Sequence, residues 1–425
     1  MQRRVVITGL GVIAPNGVGK DAFWRANVLG QSGIRTITRF DAHALTTRIA
    51  GEVPDFDPQA LGLTPLEYNY MDRATQFAIA AANLALDDAG LTSILNEDDH
   101  NSMGVYMGTA MACLEEEEKY WLQSTDRGAH APRLEKDFIP ASLLMTHASV
   151  AAIAAHHQLH GPSTVIATGC SAGADAIGEA VWTIRAGRAD RMLAGGTDST
   201  ISPVGLNVFA VMGALSTRNE EPEQASRPYS SDRDGFVMAE GAGVLLLEER
   251  ERALARGASI YAEVIAFTSN NNAHHMTALP PDGAPLQQLL KSVLDDANIS
   301  CEQLDYINSH GSSTLSNDVA ETAAYKAVFG DIAYRIPISS TKSMIGHTQG
   351  AASAIEAVAT SLVLKHQIIP PTLNLTVPDT RCDLDYVPLV ARQASVQVAL
   401  THSSGFGGVN SALILARPEW LDQQA

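Results

Sequence analysis

Residues 165–181 read VIATGCSAGADAIGEAV, and this stretch contains the pattern that decides the fold. A short apolar run (165–167) leads into a tight Thr-Gly-Cys turn, and an alanine-rich segment follows it. The pattern predicts a strand, a sharp turn and a helix, with Cys170 at the beginning of the helix. Free backbone N–H groups and the helix dipole stabilise a thiolate at such a position, so we expect a nucleophilic cysteine with a lowered pKa. The alternative is a buried structural cysteine, which is the usual fate of this residue type.

The same alternation of short apolar runs and helical segments continues along the chain. It predicts an α/β fold with a mostly parallel sheet covered by helices on both faces. The expected strands are 5–8, 104–108, 165–167, 191–194, 243–248, 260–267, 306–307, 338–339 and 412–415. The expected helices are 73–90, 172–187, 284–297, 317–329 and 351–366.

Two of these helices have unusually small side chains. The segments 171–180 and 350–359 consist largely of Ala, Gly and Ser, so each helix is able to pack between two sheets and be buried on all sides. Ordinary alanine-rich surface helices are the alternative. A change of module is plausible near 256–257, where a Glu- and Arg-rich segment meets a new strand.

Composition restricts the class of protein. The chain has 425 residues, of which 45% are hydrophobic and 18% charged, as expected for a globular protein with a large core. The formal net charge of −18 argues against nucleic acid or an anionic membrane as a partner, and an acidic protein partner would need a local basic patch.

Cysteine usage and hydropathy indicate a cytoplasmic protein. Cys113, Cys170, Cys301 and Cys382 form no CxxC pair, which argues against a zinc site and favours a reducing compartment. No run approaches the roughly 20 apolar residues of a membrane span. Glycines and a proline interrupt the apolar run at 5–15, so we expect a buried first strand there and no signal peptide.

Three further segments place chemically active residues at tight turns. Residues 307–318 (INSHGSSTLSND) contain His310, and residues 339–356 (SSTKSMIGHTQGAASAIE) contain Lys342 and His347. Two histidines in matching strand–turn–helix settings, in a chain with a poised cysteine, indicate catalysis. In 402–415 (HSSGFGGVNSALIL), glycines flank Phe406, so this residue is able to swing as a gate; a packed Phe in a hairpin is the alternative.

At these four segments the sequence resembles the β-ketoacyl-acyl carrier protein synthases of the condensing-enzyme superfamily, in particular their elongating Cys-His-His type. The resemblance runs from RRVVITGLGVIAPNG (3–17) to SSGFGGVNSALIL (403–415). It implies a thiolase-like fold with two related α/β halves in a five-layer α-β-α-β-α arrangement. We expect residues 1–255 to carry the nucleophile and residues 256–425 to carry both histidines.

Neighbouring branches of that superfamily differ at defined positions. Initiating synthases would have asparagine in place of His347, and degradative thiolases would have a second cysteine near 403–408. Chain-length-factor subunits lack the nucleophile, which is present here.

The resemblance implies roles for the catalytic residues. Cys170 would accept the acyl chain, and the N–H groups of Cys170 and Phe406 would form an oxyanion hole. His310 and His347 would both stabilise the enolate of a decarboxylated malonyl unit through Nε2–H, and Lys342 would orient and polarise this pair.

The resemblance also implies binding and supporting roles. Ser312 and Thr314 would hydrogen-bond a pantetheine arm, and Met111 and Phe209 would line the acyl pocket. Asp318 and Glu321 resemble the supporting carboxylates of the family. No metal or redox cofactor is expected, because the implied condensation needs none. The substrates would arrive on the phosphopantetheine of an acyl carrier protein.

Three places favour the ketosynthase α subunit of a type II polyketide synthase over fatty acid ketosynthase II. Residues 404–408 read SGFGG where the fatty acid enzymes usually read FGFGG, and HGSST stands where they usually read HGTST. The insert at 114–128 (LEEEEKYWLQSTDRG) also looks polyketide-like. The expected assembly is a homodimer or a heterodimer with a chain-length-factor-like subunit, and a non-catalytic scaffold subunit is the alternative of another class.

Two positions depart from the fatty acid enzymes. Gly213 stands where they usually have a basic residue, and EYNY (67–70) stands where they often have a basic run. Carrier-protein docking is therefore expected to use other basic residues, around 127–133, or a partner subunit.

Overall fold

The computed structural model describes residues 3–92, 95–112, 114–131 and 145–424. Cys113 lies outside these ranges, and so does part of the segment 127–133, which was expected to contribute to carrier-protein docking. The strands are β1 (Val5–Ala14), β2 (Gly17–Val18), β3 (Arg35–Thr36), β4 (Ile49–Ala50), β5 (Gly104–Gly108), β6 (Ser163–Ile166), β7 (Arg191–Asp198), β8 (Gly241–Glu249), β9 (Ala262–Asn271), β10 (Tyr306–Asn308), β11 (Ile338–Ser339), β12 (Ile368–Ile369), β13 (Arg392–Gln393), β14 (Val398–Ser404) and β15 (Val409–Ala416). The helices are α1 (Lys20–Val28), α2 (Pro65–Tyr70), α3 (Arg73–Asp88), α4 (Glu97–Ser102), α5 (Leu114–Ser124), α6 (Ala148–His157), α7 (Ala172–Arg185), α8 (Pro203–Val211), α9 (Arg250–Ala255), α10 (Ala284–Ala297), α11 (Asn317–Phe329), α12 (Lys342–Ile345), α13 (Ala352–His366) and α14 (Trp420–Gln424).

Two groups of five strands repeat one topology. The first group has the order β6-β5-β7-β8-β1 and the second has β11-β10-β14-β15-β9. If the five strands of each group are numbered by their order along the chain, their spatial order across the sheet is 3-2-4-5-1. The first three strands in this spatial order are parallel to one another, and the last two pairings are antiparallel. This identity confirms the two related α/β halves. Among the described residues, the strand ladders of the two groups join where β1 meets β9, at Val6↔Glu263 and Ile7↔Ala262.

Helices and strands alternate in five layers. Helix α3 packs on β1 and β8, and α10 packs on β9 and β15, so these helices form the outer layers. Helices α7 and α13 contact each other and lie between the two strand groups. Every residue of α13 from Ala352 to Leu364 is buried. A helix buried on all sides tolerates only small and apolar side chains at close contacts, which explains its composition and confirms the five-layer prediction.

The first strand is longer than the predicted 5–8. The strand continues to Ala14 and includes Gly9 and Gly11. Helix α3 packs directly against the backbone at these two glycines. A Cβ atom at Gly11 would lie 1.8 Å from the backbone oxygen of Ala81, so only glycine allows this helix–sheet contact. The glycines that interrupt the apolar run thus lie inside the strand.

Sequence patterns missed strand β14, which lies in the middle of the second group. Its last residues, Thr401 to Ser404, are polar and resemble a loop in sequence, but they are fully or nearly fully buried. Helices α10 and α11 have the predicted boundaries. Within the described ranges, no helix combines the length and apolar character that a membrane crossing requires.

Candidate active site

The ends of three strands meet at one cavity. Cys170 follows β6 in the first half, whereas His310 and His347 follow β10 and β11 in the second. The cavity has a volume of about 220 Å³, and these three residues line it together. The parallel strands within each half point their carboxyl ends in one direction, so the fold brings residues distant in sequence to one place.

Cys170 is held in a short turn, Gly169–Ser171, directly before α7. Gly169 has φ +67°, a conformation that side chains with a Cβ rarely adopt. The Ser171 hydroxyl lies 2.9 Å from the carbonyl oxygen of Val409 and 3.2 Å from that of Ser403, which fixes the turn against the β14–β15 hairpin. The backbone N–H of Phe406 lies near enough to the Cys170 sulfur to favour its thiolate form.

Burial dominates the ionisation of this thiol. It raises the pKa of Cys170 to about 11, although the positive charge of Lys342 and the Phe406 N–H both act to lower it. The expectation of a lowered pKa is therefore wrong for the free enzyme, because the loss of solvent outweighs the favourable groups. At neutral pH only ~1 thiol in 10⁴ is ionised, so thiolate formation requires a base.

The hydrogen bonds of His347 define its tautomer. The backbone N–H of Gln349 donates to Nδ1 of His347 at 3.1 Å. A backbone N–H is only a donor, so Nδ1 carries no proton and Nε2 does. His347 therefore presents an N–H donor to the cavity.

His310 has the opposite tautomer. Its Nδ1 lies 3.1 Å from the Ser403 hydroxyl oxygen, and that hydroxyl donates to the Cys170 carbonyl oxygen at 3.0 Å. Because the hydroxyl has one proton and the carbonyl only accepts, Nδ1 of His310 must be the donor in the first contact. Nε2 of His310 is left with a free lone pair. The two imidazoles lie 5.3 Å apart between ring centroids, at an interplanar angle of 77°.

Both imidazoles remain neutral at physiological pH. Burial lowers the pKa of His310 and of His347 well below the usual value, and the charge of Lys342 lowers them further. Neutral rings can provide one donor and one acceptor at the same time, as the hydrogen bonds require.

Lys342 forms a buried ion pair with Glu356 of α13. Burial raises the pKa of Glu356 to about 7, and Lys342 opposes this shift. The second carboxylate oxygen, Oε2, has no hydrogen-bond partner among the described residues. The Lys342 charge reaches both histidines, since it contributes to the lowered pKa of each.

Asp318 and Glu321 are buried but support different atoms. Glu321 accepts from the backbone N–H of Gly311, the residue after His310, at 3.1 Å, and from the Tyr229 hydroxyl at 2.8 Å. Asp318 accepts from the Tyr229 N–H at 2.8 Å and pairs with Arg233 at 3.4 Å. Their contacts stabilise the loop that carries His310.

The predicted binding residues have different positions relative to the cavity. Ser312 and Thr314 line it, with their hydroxyl oxygens 3.0 Å apart. Phe209 and Phe406 also line it, with ring centroids 6.0 Å apart. Met111 does not line it but packs against the hydrophobic cluster that contains Phe209. A direct role of Met111 in the acyl pocket stays a prediction.

Sequence reasoning missed Glu356, Ser403 and Gln349. A signal existed for Glu356, since it is the single charged residue within the small-residue segment 350–359, which was predicted to be buried on all sides. Ser403 and Gln349 lie inside the recognised motifs, but only coordinates reveal which imidazole nitrogen each one contacts.

Two family profiles cover most of the chain. "Beta-ketoacyl synthase, N-terminal domain" matches residues 2–253, and "Beta-ketoacyl synthase, C-terminal domain" matches residues 261–376. The chain belongs to the β-ketoacyl synthase family. This β-ketoacyl synthase is therefore an acyltransferase of the condensing type.

Relatives of this β-ketoacyl synthase occur in two kinds of pathway. The chain is 44% identical to the tetracenomycin polyketide synthase ketoacyl synthase alpha subunit of Streptomyces glaucescens, over 98% of both chains. It is 43% identical to 3-oxoacyl-[acyl-carrier-protein] synthase 2 of Coxiella burnetii, over 98% of this chain and 99% of the relative.

Two solved structures are similar over nearly the whole chain. One is the AntDE:AntF complex, a type II PKS acyl-carrier protein with its ketosynthase bound to the hexaketide. Its TM-score is 0.90 at 38% identity, over 98% of this chain and 100% of that one. The other is the ishigamide ketosynthase/chain length factor, with a TM-score of 0.89 at 36% identity, over 98% and 100%. Both confirm the thiolase-like ketosynthase fold.

Proposed function

We propose that this protein is the ketosynthase of a type II polyketide synthase, which condenses a cysteine-bound acyl chain with malonyl-acyl carrier protein. The observation that carries the proposal is the meeting of Cys170, His310 and His347 at one cavity, which Phe406 also lines. The nucleophile then belongs to a half spanning 1–255 and both histidines to a half spanning 256–425. Formation of β-ketoacyl product and CO₂ from acyl- and malonyl-carrier protein tests the proposal.

Acylation begins with removal of the thiol proton. Nε2 of His310 accepts this proton, because it is the imidazole nitrogen left with a free lone pair. The thiolate attacks the carbonyl carbon of the acyl thioester, and the oxyanion lies at the N–H groups of Cys170 and Phe406. The carrier thiolate leaves and takes up the proton, so the enzyme is acylated without net consumption of a base.

Decarboxylation follows when malonyl-carrier protein enters. The bond to the carboxylate breaks, CO₂ leaves, and the electron pair forms an enolate at the thioester. Nε2–H of His347 donates to the enolate oxygen, while Lys342 adds positive charge nearby. The enolate carbon attacks the Cys170 thioester carbonyl, the carbon–carbon bond forms and the carbon–sulfur bond breaks. The departing Cys170 thiolate takes up one proton from solvent, which restores the thiol.

Substrate binding uses both ends of the cavity. Ser312 and Thr314 hydrogen-bond the pantetheine arm, while Phe209 limits the acyl chain and Met111 supports Phe209 from outside the cavity lining. The substrates arrive on an acyl carrier protein, in keeping with the carrier-bound ketosynthase structure. The scattered cysteines support a cytoplasmic location.

A heterodimer with a chain-length-factor-like subunit fits the proposed pathway. The alpha-subunit relative and the ishigamide ketosynthase/chain length factor structure support it. A homodimer in fatty acid elongation is the second candidate, favoured by the Coxiella burnetii relative. Co-purification from the native host followed by mass spectrometry of the partner separates them, since a second ketosynthase-like subunit appears only in the first case.

A non-catalytic scaffold subunit is the alternative of another class. It requires an inert Cys170, so iodoacetamide or cerulenin labelling tests it directly. Labelling of Cys170 and loss of condensation together would exclude the scaffold role.

Substitution of Phe406 by alanine is expected to loosen control over entry of the second substrate. Phe406 lines the same cavity as Cys170 and is partly exposed, and Gly407 and Gly408 have φ of +85° and +81°, which allows the loop unusual conformations. We expect the kcat for long acyl chains to change by about tenfold relative to short ones, because gating steps often limit turnover. Condensation kinetics that stay the same for every acyl length would argue against a gate.

Substitution of Glu356 by glutamine is expected to lower the decarboxylation rate by ~10- to 100-fold. Loss of the carboxylate leaves Lys342 as a buried, uncompensated charge, which either moves or loses its proton. Release of labelled CO₂ from malonyl-carrier protein measures the effect. The matched control is Glu321→Gln, another buried carboxylate, which supports Gly311 and makes no contact with Lys342. Equal losses in both variants would show a general packing effect.

A further inference from the structure

The turn from His347 to Gly350, which we call the His347 turn, is held at both ends. At its beginning, the His347 N–H donates to the Val237 carbonyl oxygen at 2.7 Å, and the Ala239 N–H donates to the His347 carbonyl oxygen at 2.9 Å. At its end, the Gly350 N–H donates to Oδ2 of Asp198 at 2.6 Å. Asp198 is the last residue of β7. Both ends of the turn are therefore held by the first half of the protein, although His347 belongs to the second.

Gln349, inside the His347 turn, has an unfavourable backbone conformation. Its φ is +52°, in the left-handed region that residues with a Cβ atom rarely adopt. Its backbone N–H donates to Nδ1 of His347 at 3.1 Å, the contact that places the imidazole proton on Nε2. A strained residue keeps its conformation only where its surroundings hold it. The tautomer of His347 therefore depends on the contact that fixes the next residue, Gly350.

The Asp198 carboxylate is fully buried and accepts several hydrogen bonds. The Thr109 hydroxyl donates to it at 2.8 Å, and three consecutive backbone N–H groups lie at 2.8, 3.2 and 3.1 Å from its oxygens, those of Ala110, Met111 and Ala112. Burial raises the pKa of Asp198 to about 6, and the hydrogen bonds oppose this shift, so the carboxylate is mostly ionised at pH 7. A carboxylate with this many fixed donors has little freedom to move. It provides a rigid acceptor for the end of the His347 turn.

We propose that Asp198 is a positioning residue for decarboxylation, which fixes the tautomer and direction of His347 through Gly350 and Gln349. Asp198 does not line the cavity, so it acts on the substrate only through the turn. The inference rests on the proposed function, in which Nε2–H of His347 donates to the enolate oxygen. The same charge has an opposite effect on the nucleophile, because burial and, to a smaller extent, Asp198 raise the pKa of Cys170. Loss of the charge should therefore impair the histidine without impairing the cysteine.

Substitution of Asp198 by asparagine is expected to separate the two steps. The amide has the size of the carboxylate, but its NH₂ group faces backbone donors, so the Gly350 N–H loses its acceptor or moves. We expect release of labelled CO₂ from malonyl-carrier protein to slow by ~10- to 100-fold, because a misdirected donor loses part of the stabilisation that one oxyanion donor provides. Single-turnover acylation, followed by intact mass, should change less than about threefold, because it does not use the His347 donor.

A double-mutant cycle shows whether Asp198 acts through His347. In the His347→Ala background, Asp198→Asn should slow CO₂ release by less than about twofold more, since the group that it positions is absent. A loss in this background as large as in the wild-type background would overturn the positioning role. Equal slowing of acylation and CO₂ release by Asp198→Asn would also overturn it, because general damage to the fold affects both steps.

Asp72 provides a matched control. It is also a buried carboxylate, and burial raises its pKa as well. It accepts from the Thr75 N–H at 2.9 Å and the Thr75 hydroxyl at 2.6 Å at the beginning of α3, not from the His347 turn. Asp72→Asn should change CO₂ release less than about twofold relative to acylation. An equal loss in Asp72→Asn and Asp198→Asn would contradict a specific role of Asp198.

Substitution of Thr109 by valine keeps the proposal testable if Asp198→Asn does not fold. It removes one hydroxyl donor from the Asp198 carboxylate and keeps the shape of the side chain. We expect CO₂ release to slow by about threefold and acylation to stay unchanged, because the remaining donors hold the carboxylate less firmly. Thr109→Val protein that releases CO₂ at the wild-type rate would overturn the proposal. Wild-type protein that forms no β-ketoacyl product would instead show that the proposed function is wrong, and the positioning role with it.

Discussion

Substitution of Cys170 by alanine is expected to lower condensation by at least ~10⁴-fold, because loss of a nucleophile that forms the covalent intermediate removes the whole acylated route. Cys170 is the cysteine of the described chain that lines the cavity, and the Phe406 backbone N–H favours its thiolate form. The direct measurement is intact mass after incubation with acyl-carrier protein. Wild-type protein should gain the mass of one acyl group, and Cys170→Ala should gain none.

Cys382 provides the matched control for this experiment. It is also buried, and burial raises its pKa to about 11 as well, but its sulfur lies 3.6 Å from the Asp318 carbonyl oxygen and away from the cavity. Cys382→Ala should still gain one acyl group. The comparison shows whether acylation depends on the position of the cysteine or on the acidity of its thiol. The two thiols have similar pKa values, but only Cys170 lines the cavity and lies beside the proposed oxyanion donors. An acyl group on Cys170→Ala would refute the nucleophile assignment.

The sequence was sufficient for the fold and for the prediction that Cys170, His310 and His347 lie at one cavity, because these depend on local patterns; the catalytic roles stay predictions. Strand–turn–helix transitions at Cys170, His310 and His347 are visible in short segments, and parallel strands bring such turns to one side of a sheet. The small side chains of α13 likewise indicated its buried position. Each of these features is encoded by residues close together in the chain.

The missed features depend on contacts between distant residues. The pKa of Cys170 is set by burial under the β14–β15 hairpin, which lies more than 200 residues away in sequence, and the helix position alone suggested the wrong direction. The partner of Lys342 was missed because Glu356 lies on a separate helix, although only 14 residues further along. Tautomers depend on single hydrogen bonds and have no sequence pattern at all.

Replacement of each histidine by alanine is expected to slow a different step of the reaction. The sequence hypothesis gave both the same role as N–H donors to the enolate, with acylation unaffected. The hydrogen bonds from Gln349 and to Ser403 separate them, since His347 presents a donor and His310 an acceptor. We expect His347→Ala to slow decarboxylation by ~10²–10³-fold, the usual cost of one oxyanion donor, and to change acylation less than about threefold. His310→Ala should slow acylation by ~10²–10³-fold at pH 7, within the range of general-base catalysis.

The pH dependence of acylation distinguishes a missing base from damaged packing. With a pKa of about 11, the fraction of Cys170 thiolate increases tenfold for each pH unit between 7 and 10. In His310→Ala the acylation rate should follow this increase, because hydroxide in solution then replaces the base, whereas the wild-type rate should change little over the same range. In His347→Ala the pH profile of acylation should match that of the wild type. Single-turnover acylation followed by intact mass, together with labelled CO₂ release, gives both rates for each variant. If His310→Ala acylates at the wild-type rate at pH 7, both imidazoles serve only the enolate, as the sequence alone suggested. If its acylation is slow but independent of pH, the ring acts through packing of the Ser403 contact and not as a base.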